Sequence, residues 1–297
     1  MDADQFAKYL DLLDHPKQLE LSADEGSLFT VYREHLTRFP YQNVDLYRGG
    51  EVADLSLPNL LTSMAEYGGH CYQQSELLYG ALHHLGFQVS RLAGWVLMGG
   101  EYQPGQPRNH NVLLVNIGQK FFLCDPGLAS ASPRYPLSFN MKTSEEIRPC
   151  QGDQYKLEVQ SDHYNFYWRM KGSYFLLYRL ERDLETGLPR TSDRETTLRM
   201  CQEVVQVLGL LAKCYVDIYV EVYTVPAFIP IRDKYVKISK QTNDSIYSFL
   251  YVDGGYNFKI IKQGKPVEDR TLDCEEFFKL IHQRCGVEFE ASEFVRK

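Results

Sequence analysis

The sequence predicts an α+β protein in which a helical first part is followed by a β-rich middle part and a mixed last part. Apolar residues recur every three or four positions over the first ~85 residues, which is the period of an amphipathic helix. From residue 87 onward the pattern changes to alternation, the period of a strand, and after residue 192 both periods occur. We therefore divide the chain into residues 1–86, 87–191 and 192–297.

Composition and charge restrict the functional classes. The 297 residues are 44% hydrophobic and 24% charged, as in ordinary globular proteins, which excludes a disordered or fibrous chain. The net charge of −7 argues against nucleic-acid binding, because phosphate contacts need a basic face. The most apolar stretch, residues 204–231, is interrupted by charges and two prolines, so we expect no membrane span.

The first residues and the cysteines predict a cytoplasmic protein. The first ten residues lack the basic and apolar regions of a secretory signal. The seven cysteines are odd in number and include no CxxC pair, so neither a disulfide framework nor a zinc ribbon is indicated. His70, His83 and His84 lie close in sequence but not at ligand spacing. We expect no metal, no permanently bound cofactor and no partner protein.

Apolar spacing and capping residues predict the helices of the first part. A first helix spans residues 6–13, and Ser22 with Glu25 has the spacing of a capping box that opens the second. Pro58 suits the first turn of a third helix. A fourth begins near Cys71 and stops before a glycine at position 86, the usual residue after a helix end.

Alternation predicts an antiparallel sheet or barrel in the middle part. The predicted strands are residues 87–98, 110–117, 120–125, 155–159, 164–170 and 174–181. Gly118 and Gln119 form a two-residue turn between the second and third of these strands, with glycine first as a type II′ hairpin needs.

The last part combines helices and strands. Ser192 with Glu195 has capping-box spacing and predicts a long helix toward residue 214. A second predicted helix covers residues 271–285. Between them, the predicted strands are residues 216–222, 235–239, 246–252 and 256–262.

Cys71 is the candidate nucleophile. It follows two glycines and stands where a helix starts, and the positive end of the helix dipole favours a thiolate there. A thiolate is the nucleophile that acyl transfer needs. A buried cysteine that only packs is the ordinary alternative, and the glycine pair argues against it.

The predicted hairpin supplies partners for a nucleophile. With the turn at Gly118 and Gln119, His110 and Asp125 are diagonal neighbours on one face, within roughly 7–8 Å. A carboxylate there would fix the imidazole tautomer, and the other ring nitrogen could take a thiol proton. The sequence spacing does not show whether Cys71 closes this pair into a triad.

Five runs of residues, in order and at matching spacing, resemble the arylamine N-acetyltransferase family. They are FPYQNV (39–44), GGHCYQQ (68–74), AGWV (93–96), HNVLLV (110–115) and DPGL (125–128). The likeness covers about residues 36–130 and is weak after 140. It implies a helical bundle that carries the nucleophile, a central antiparallel β-barrel and a C-terminal α/β lid, around a core like that of cysteine proteases and transglutaminases.

The resemblance also implies a chemistry. It assigns a Cys-His-Asp triad to Cys71, His110 and Asp125, and ping-pong transfer of acetyl from acetyl-CoA to an arylamine, arylhydrazine or N-hydroxyarylamine, as in xenobiotic metabolism. The partners are then an acyl-CoA and a small amine. The backbone N–H of Tyr72 would hold the oxyanion. By analogy, the acceptor pocket would include Tyr41, Val96, Leu128 and Ser130, and the coenzyme would lie along Gln106 and Pro107.

Three departures from the family pattern concern the mouth of the site. Tyr67 stands where the family usually has Arg, Gln42 where it has Glu, and Ser75 where it has Asn. A neutral Tyr67–Gln42 hydrogen bond is our hypothesis for what replaces the lost ion pair. Two rival functions remain open: a triad acyltransferase with another donor or acceptor, such as an amide synthase or a protein-directed enzyme, and a thiol hydrolase or transglutaminase-like enzyme.

Overall fold

A computed structural model describes most of the chain. The described residues are 1–16, 20–47, 54–150, 153–170, 172–214, 235–242, 245–252, 255–262, 265–289 and 291–294. The strand predicted at residues 216–222 lies outside them. Among the described residues, no helix combines the length and apolarity needed to cross a membrane.

The first part is helical, as predicted. Its elements are α1 (Ala3–Leu12), α2 (Glu25–Arg38), the two-residue strand β1 (Tyr41–Gln42), α3 (Val44–Tyr47), α4 (Leu57–Tyr67) and α5 (Cys71–His84). The predicted cap of α2 is wrong. The N-cap is Asp24, whose carboxylate accepts a hydrogen bond from the Ser27 N–H at 2.8 Å, and the Ser22 hydroxyl donates to that carboxylate instead of capping the helix.

The middle part is an antiparallel, nearly closed barrel. Its strands are β2 (Gln88–Val96), β3 (His110–Ile117), β4 (Lys120–Cys124), β5 (Leu137–Phe139), β6 (Glu145–Cys150), β7 (Asp153–Val159), β8 (His163–Met170), β9 (Ser173–Glu181) and β10 (Thr191–Ser192). The order is β5-β4-β3-β2-β9-β8-β7-β6, with β10 paired to β2, and the end strands β5 and β6 are in contact. With the helical first part, this barrel confirms the α+β fold class.

The last part contains a second sheet. Its elements are α6 (Arg194–Cys214), β11 (Tyr235–Gln241), β12 (Ser245–Val252), β13 (Gly255–Lys262), β14 (Lys265–Leu272) and α7 (Cys274–Cys285). Strand β14 was not predicted, and α7 starts three residues later than expected. Half of the residues of this exposed edge strand are charged, and they show no alternation. The cap of α6 is Asp193, which accepts from the Thr196 N–H at 2.7 Å, and not the predicted Ser192.

One strand pairing connects the second sheet to the first part of the chain. The sheet order is β1-β11-β12-β13-β14, and β1 pairs with β11 through Tyr41–Ser239 and Gln42–Ile238. The same segment of β1 bridges to Gly69, two residues before Cys71. A C-terminal strand is therefore held close to the start of α5.

Candidate active site

The β3–β4 hairpin has the predicted register. Ile117 pairs with Lys120 and Leu113 with Cys124, and Gly118 adopts a positive φ of 64°, which glycine allows without strain. This register brings the His110 imidazole and the Asp125 carboxylate together at the open end of the hairpin. The His110 Nε2 lies 2.9 Å from the Asp125 Oδ2.

Asp125 is held from a second side. Its Oδ1 accepts a hydrogen bond from the Gly127 N–H at 3.1 Å, so each carboxylate oxygen has a donor. Both His110 and Asp125 are fully buried. The imidazole orientation is therefore fixed by a carboxylate that is itself fixed.

Cys71 is the first residue of α5, as the sequence predicts. The helix start is organised by His70, whose N–H donates to the Gln73 Oε1 at 3.1 Å. Ser75 ties the helix to β3, because its hydroxyl donates to the Asn111 carbonyl at 2.8 Å. Since Asn111 follows His110, this bond places the start of α5 beside the histidine.

Gly127 packs directly against Cys71. A Cβ at position 127 would lie 2.5 Å from both the Cα and the Cβ of Cys71, which no side chain tolerates. The Cys71 side chain is completely buried. The Asp-Pro-Gly run therefore brings the Gly127 backbone against the start of α5, which requires glycine at this position.

The charge of Asp125 determines the protonation of His110. Burial lowers the pKa of His110, but the carboxylate of Asp125, its hydrogen bond and the Cys71 sulfur raise it more, to about 9. The other ring nitrogen, Nδ1, is buried and forms no hydrogen bond of standard geometry with the described residues. Nδ1 is therefore the atom left to exchange a proton with the sulfur.

A buried chain of hydrogen bonds supports the start of α5 from behind. The Tyr9 hydroxyl lies 3.0 Å from the His35 Nδ1, and the His35 Nε2 lies 2.9 Å from the Gln74 Oε1. The Gln74 amide then donates to the Pro40 carbonyl at 3.0 Å and the Gly69 carbonyl at 3.3 Å. This arrangement connects α1 and α2 to α5, to the residue before β1 and to the segment that precedes α5.

A cavity of about 220 Å³ lies beside this site. Its wall is mostly apolar and aromatic. The lining residues are Tyr41, Asn43, Val96, Met98, Gly127, Leu128, Ala129, Ser130, Ala131, Trp168, Phe175, Leu177 and Lys237. Gly127 lines the cavity and also packs against Cys71. One residue therefore stands between the cavity and the candidate nucleophile.

All four residues predicted for the acceptor pocket line this cavity: Tyr41, Val96, Leu128 and Ser130. Their role in binding stays a prediction, as do the roles of the triad residues. Tyr72 is the second residue of α5, so its N–H lies at the helix start, as expected of an oxyanion donor.

The predicted coenzyme loop is folded against β2. The Gln106 carbonyl accepts from the Trp95 indole at 2.8 Å, and the Gln106 side-chain oxygen accepts from the Gln103 N–H at 3.1 Å. Gln106 and Pro107 do not line the cavity described above. Their contact with a coenzyme stays a prediction.

The hypothesis of a Tyr67–Gln42 hydrogen bond is wrong. Tyr67 is 46% exposed, whereas Gln42 is buried and its side-chain oxygen accepts from the Val44 N–H at 2.6 Å. Gln42 satisfies its oxygen locally, at the start of α3, and needs no partner from α4.

The contacts of Lys237, His35 and Gln74 were not predicted from the sequence. Lys237 comes from β11, and no local pattern shows that β11 pairs with residues almost 200 positions earlier. Within the described residues, no cluster of three or more His, Cys, Asp or Glu side chains could hold a metal.

Comparison with known proteins identifies related chains. A family profile described as N-acetyltransferase matches residues 26–186, more than half of the chain. An arylamine N-acetyltransferase of Mycolicibacterium smegmatis is 30% identical over 175 residues, which is 55% of this chain and 62% of the relative. Proansamycin X synthase of Amycolatopsis mediterranei is 30% identical over 149 residues, 49% and 55% of the two chains. The chain thus spans less than two thirds of these curated relatives.

Solved structures show the same fold over nearly the full length. An arylamine N-acetyltransferase structure from M. tuberculosis superimposes with a TM-score of 0.75 at 19% identity, covering 99% of this chain and 97% of the other. The Mycobacterium marinum arylamine N-acetyltransferase in complex with CoA superimposes with a TM-score of 0.72 at 20% identity, covering 95% and 92%.

Proposed function

The chain belongs to the arylamine N-acetyltransferase family, and from that premise we propose that it transfers an acetyl group from acetyl-CoA to an arylamine, arylhydrazine or N-hydroxyarylamine. The observation that carries the proposal is the buried Asp125–His110 pair, with Nε2 and Oδ2 2.9 Å apart, beside a cysteine at a helix start. A carboxylate-oriented imidazole next to a thiol is the arrangement that nucleophilic acyl transfer requires.

In the first half-reaction, the Cys71 sulfur attacks the thioester carbonyl of acetyl-CoA. A bond forms between this sulfur and the acetyl carbon, and the bond from that carbon to the coenzyme sulfur breaks. The proton held by His110 passes to the leaving coenzyme thiolate. The backbone N–H of Tyr72, at the positive end of α5, stabilises the oxyanion of the tetrahedral intermediate.

In the second half-reaction, the acceptor amine attacks the acetyl-cysteine. The new bond joins the amine nitrogen to the acetyl carbon, and Cys71 leaves as a thiolate. His110, now neutral, takes the proton that the amine loses. The site returns to its first state, and the acetylated amine is released.

The electrostatics of the site support this order of events. Because the pKa of His110 is about 9, the imidazolium persists at neutral pH. A cation fixed beside a thiol favours the thiolate over the neutral form. Asp125 therefore acts through His110 to keep the nucleophile ionised.

The burial of Cys71 means that the thioester reaches the sulfur only after a local movement. Gly127 lies between the cavity and the helix start, and we propose that it moves, together with the adjoining Leu128, to admit the donor. The structure of the Mycobacterium marinum relative in complex with CoA supports an acyl-CoA as the donor.

A second candidate function uses the same triad with a different acyl donor or acceptor. The similarity to a protein named as a synthase, at the same 30% identity as the acetyltransferase relative, favours it over a hydrolase. Both candidates share the acyl-cysteine intermediate and differ in what forms or consumes it.

Intact-protein mass after mixing with acetyl-CoA tests the proposal. We expect one acetyl adduct on the wild-type protein, none on Cys71→Ala, and an unchanged adduct on Cys124→Ala. Cys124 is a matched control, since it is also buried and adjoins Asp125, and burial raises its pKa far above the ordinary range. An adduct that survives in Cys71→Ala would refute the assignment.

The fate of the adduct separates the rival functions. Loss of the acetyl group on adding arylamines, with formation of the N-acetyl product, supports the first candidate. A stable adduct with every amine favours the second. Absence of any adduct together with cleavage of a peptide or glutamine substrate would favour a thiol hydrolase or transglutaminase-like enzyme.

A further inference from the structure

Lys237 is the only charged side chain in the wall of the cavity among the described residues. The rest of the lining is mostly aliphatic or aromatic, with residues such as Val96, Trp168 and Phe175. A cation in an apolar pocket is a specificity element, because pockets of this kind use a few polar groups to orient a ligand.

The fold holds Lys237 in place through its backbone and its side chain. Its N–H donates to the Asn43 Oδ1 at 2.6 Å, next to the β1–β11 pairing. Its ammonium donates to the Ser248 hydroxyl on the adjacent strand β12. An ammonium carries three N–H donors, so one bond to a hydroxyl leaves capacity for an anion.

No carboxylate among the described residues pairs with Lys237. The neighbouring Lys259 has its own partner, Asp269, at 2.8 Å. Burial and the nearby charge of Lys259 lower the pKa of Lys237 to about 8. A half-buried ammonium without a counter-ion is costly to maintain, and a bound anion would reduce that cost.

We propose that the preferred acceptor is an aromatic amine carrying a carboxylate on its ring, with the carboxylate bound to the Lys237 ammonium and the amine directed toward Cys71. This inference rests on the acyl-transfer function proposed above. The volume of about 220 Å³ is below the ~300–1,000 Å³ of pockets for drug-sized ligands, so a single ring fits better than a fused system.

Two variants and two acceptors test the proposal. Lys237→Met keeps a flexible, unbranched side chain, one heavy atom shorter, and removes its charge. Lys259→Met makes the same charge change outside the cavity, at a side chain that is 40% exposed. Each protein is first converted to the acetyl-enzyme, and kcat/KM is then measured at pH 7 with 4-aminobenzoate and with 4-aminobenzamide, which differ in charge but hardly in shape.

We expect the wild type and Lys259→Met to prefer 4-aminobenzoate. In Lys237→Met, kcat/KM for 4-aminobenzoate falls about 10- to 100-fold, the range for losing a hydrogen bond to a charged group, and kcat/KM for the amide changes little. Equal loss with both acceptors, or no preference in the wild type, would overturn the proposal.

The rate of acetyl-enzyme formation shows whether a negative result concerns the acceptor assignment or the proposed function. A lower rate of acetyl-enzyme formation in Lys237→Met, with unchanged acceptor preference, would mean that the lysine binds the coenzyme and would refute the acceptor assignment. Failure of the wild type to form any acetyl-enzyme would instead refute the proposed function itself.

Discussion

Two fully buried histidines in this protein have opposite electrostatic properties. The pKa of His35 is lowered to about 3, because burial disfavours its charged form and its Gln74 partner only partly offsets that. The pKa of His110 is raised to about 9, although burial again lowers it, because Asp125 supplies a full negative charge. The difference shows that burial alone makes a neutral, structural histidine, and a carboxylate partner makes a cationic one.

The positions of the two histidines match these properties. His35 bonds only to neutral groups, the Tyr9 hydroxyl and the Gln74 amide, and it joins three helices. His110 lies between a carboxylate and the candidate nucleophile. The first arrangement suits a structural role, and the second suits the proton transfer proposed above for His110.

The largest expected effect comes from removing the negative charge of Asp125, which makes the pKa of His110 differ from that of His35. In Asp125→Asn, the pKa of His110 falls, the thiolate is less populated and the tautomer is no longer fixed. The single-turnover rate of acetyl-enzyme formation should fall by about 10³- to 10⁴-fold, as when the acid of a Ser-His-Asp triad is replaced. Stopped-flow release of CoA measures it. A fall of less than tenfold in a folded variant would contradict the role given to Asp125.

The next effect is on the pH dependence of stability. The folded state holds the His110 proton above the ordinary pKa of 6.5, so its contribution is complete below pH 6.5 and is lost as the pH rises through 9. His35 behaves oppositely: its contribution is complete above pH 6.5 and is lost as the pH falls toward 3. The stability of the wild type should therefore decline on both sides of pH 6.5.

Urea unfolding of matched variants between pH 5 and 9 separates these contributions. His110→Gln should remove about 3 kcal/mol of the alkaline decline, and His35→Gln about 2 kcal/mol of the decline from pH 6.5 to 5. Glutamine retains a donor and an acceptor and does not titrate in this range. If both variants flatten the same side of the profile, the contrast between the two histidines is wrong.

The smallest expected effect concerns only the hydrogen bonds of the neutral His35 with Tyr9 and Gln74. Tyr9→Phe removes the hydroxyl that faces the His35 Nδ1 and leaves the ring in place. The free energy of unfolding should fall by about 1–2 kcal/mol, since a buried acceptor loses its partner. The rate of acetyl-enzyme formation at pH 7 should change less than twofold. A large loss of rate with unchanged stability would show that His35 contributes to the chemistry.

The sequence predicted the site where local rules apply. A two-residue turn determines the register of a hairpin, so the proximity of His110 and Asp125 could be derived from Gly118 and Gln119. The proximity of Cys71 to His110 could not be derived from the sequence, because it depends on α5 packing against β3. Only the family resemblance indicated it. Lys237 was missed for the same reason, since β1 and β11 are distant in sequence.

Capping residues show a different limit. Near the starts of both α2 and α6, a serine and an aspartate compete for the N-cap, and the aspartate is the cap in each case. Both residue types favour this position, so spacing alone did not decide between them. The charged edge strand β14 was missed because its side chains are mostly exposed and give no alternating pattern.

The pairing of β1 with β11 has a consequence for any shortened form of the chain. A protein ending after α6 would keep the Cys-His-Asp segment but would lose the strand that completes the ladder at Tyr41 and Gln42. One wall of the cavity that Lys237 lines would open to water, and the backbone edge of β1 would lose its hydrogen-bonding neighbour. Truncation would therefore alter the choice of substrate and the tendency to aggregate, even though every reactive group remained.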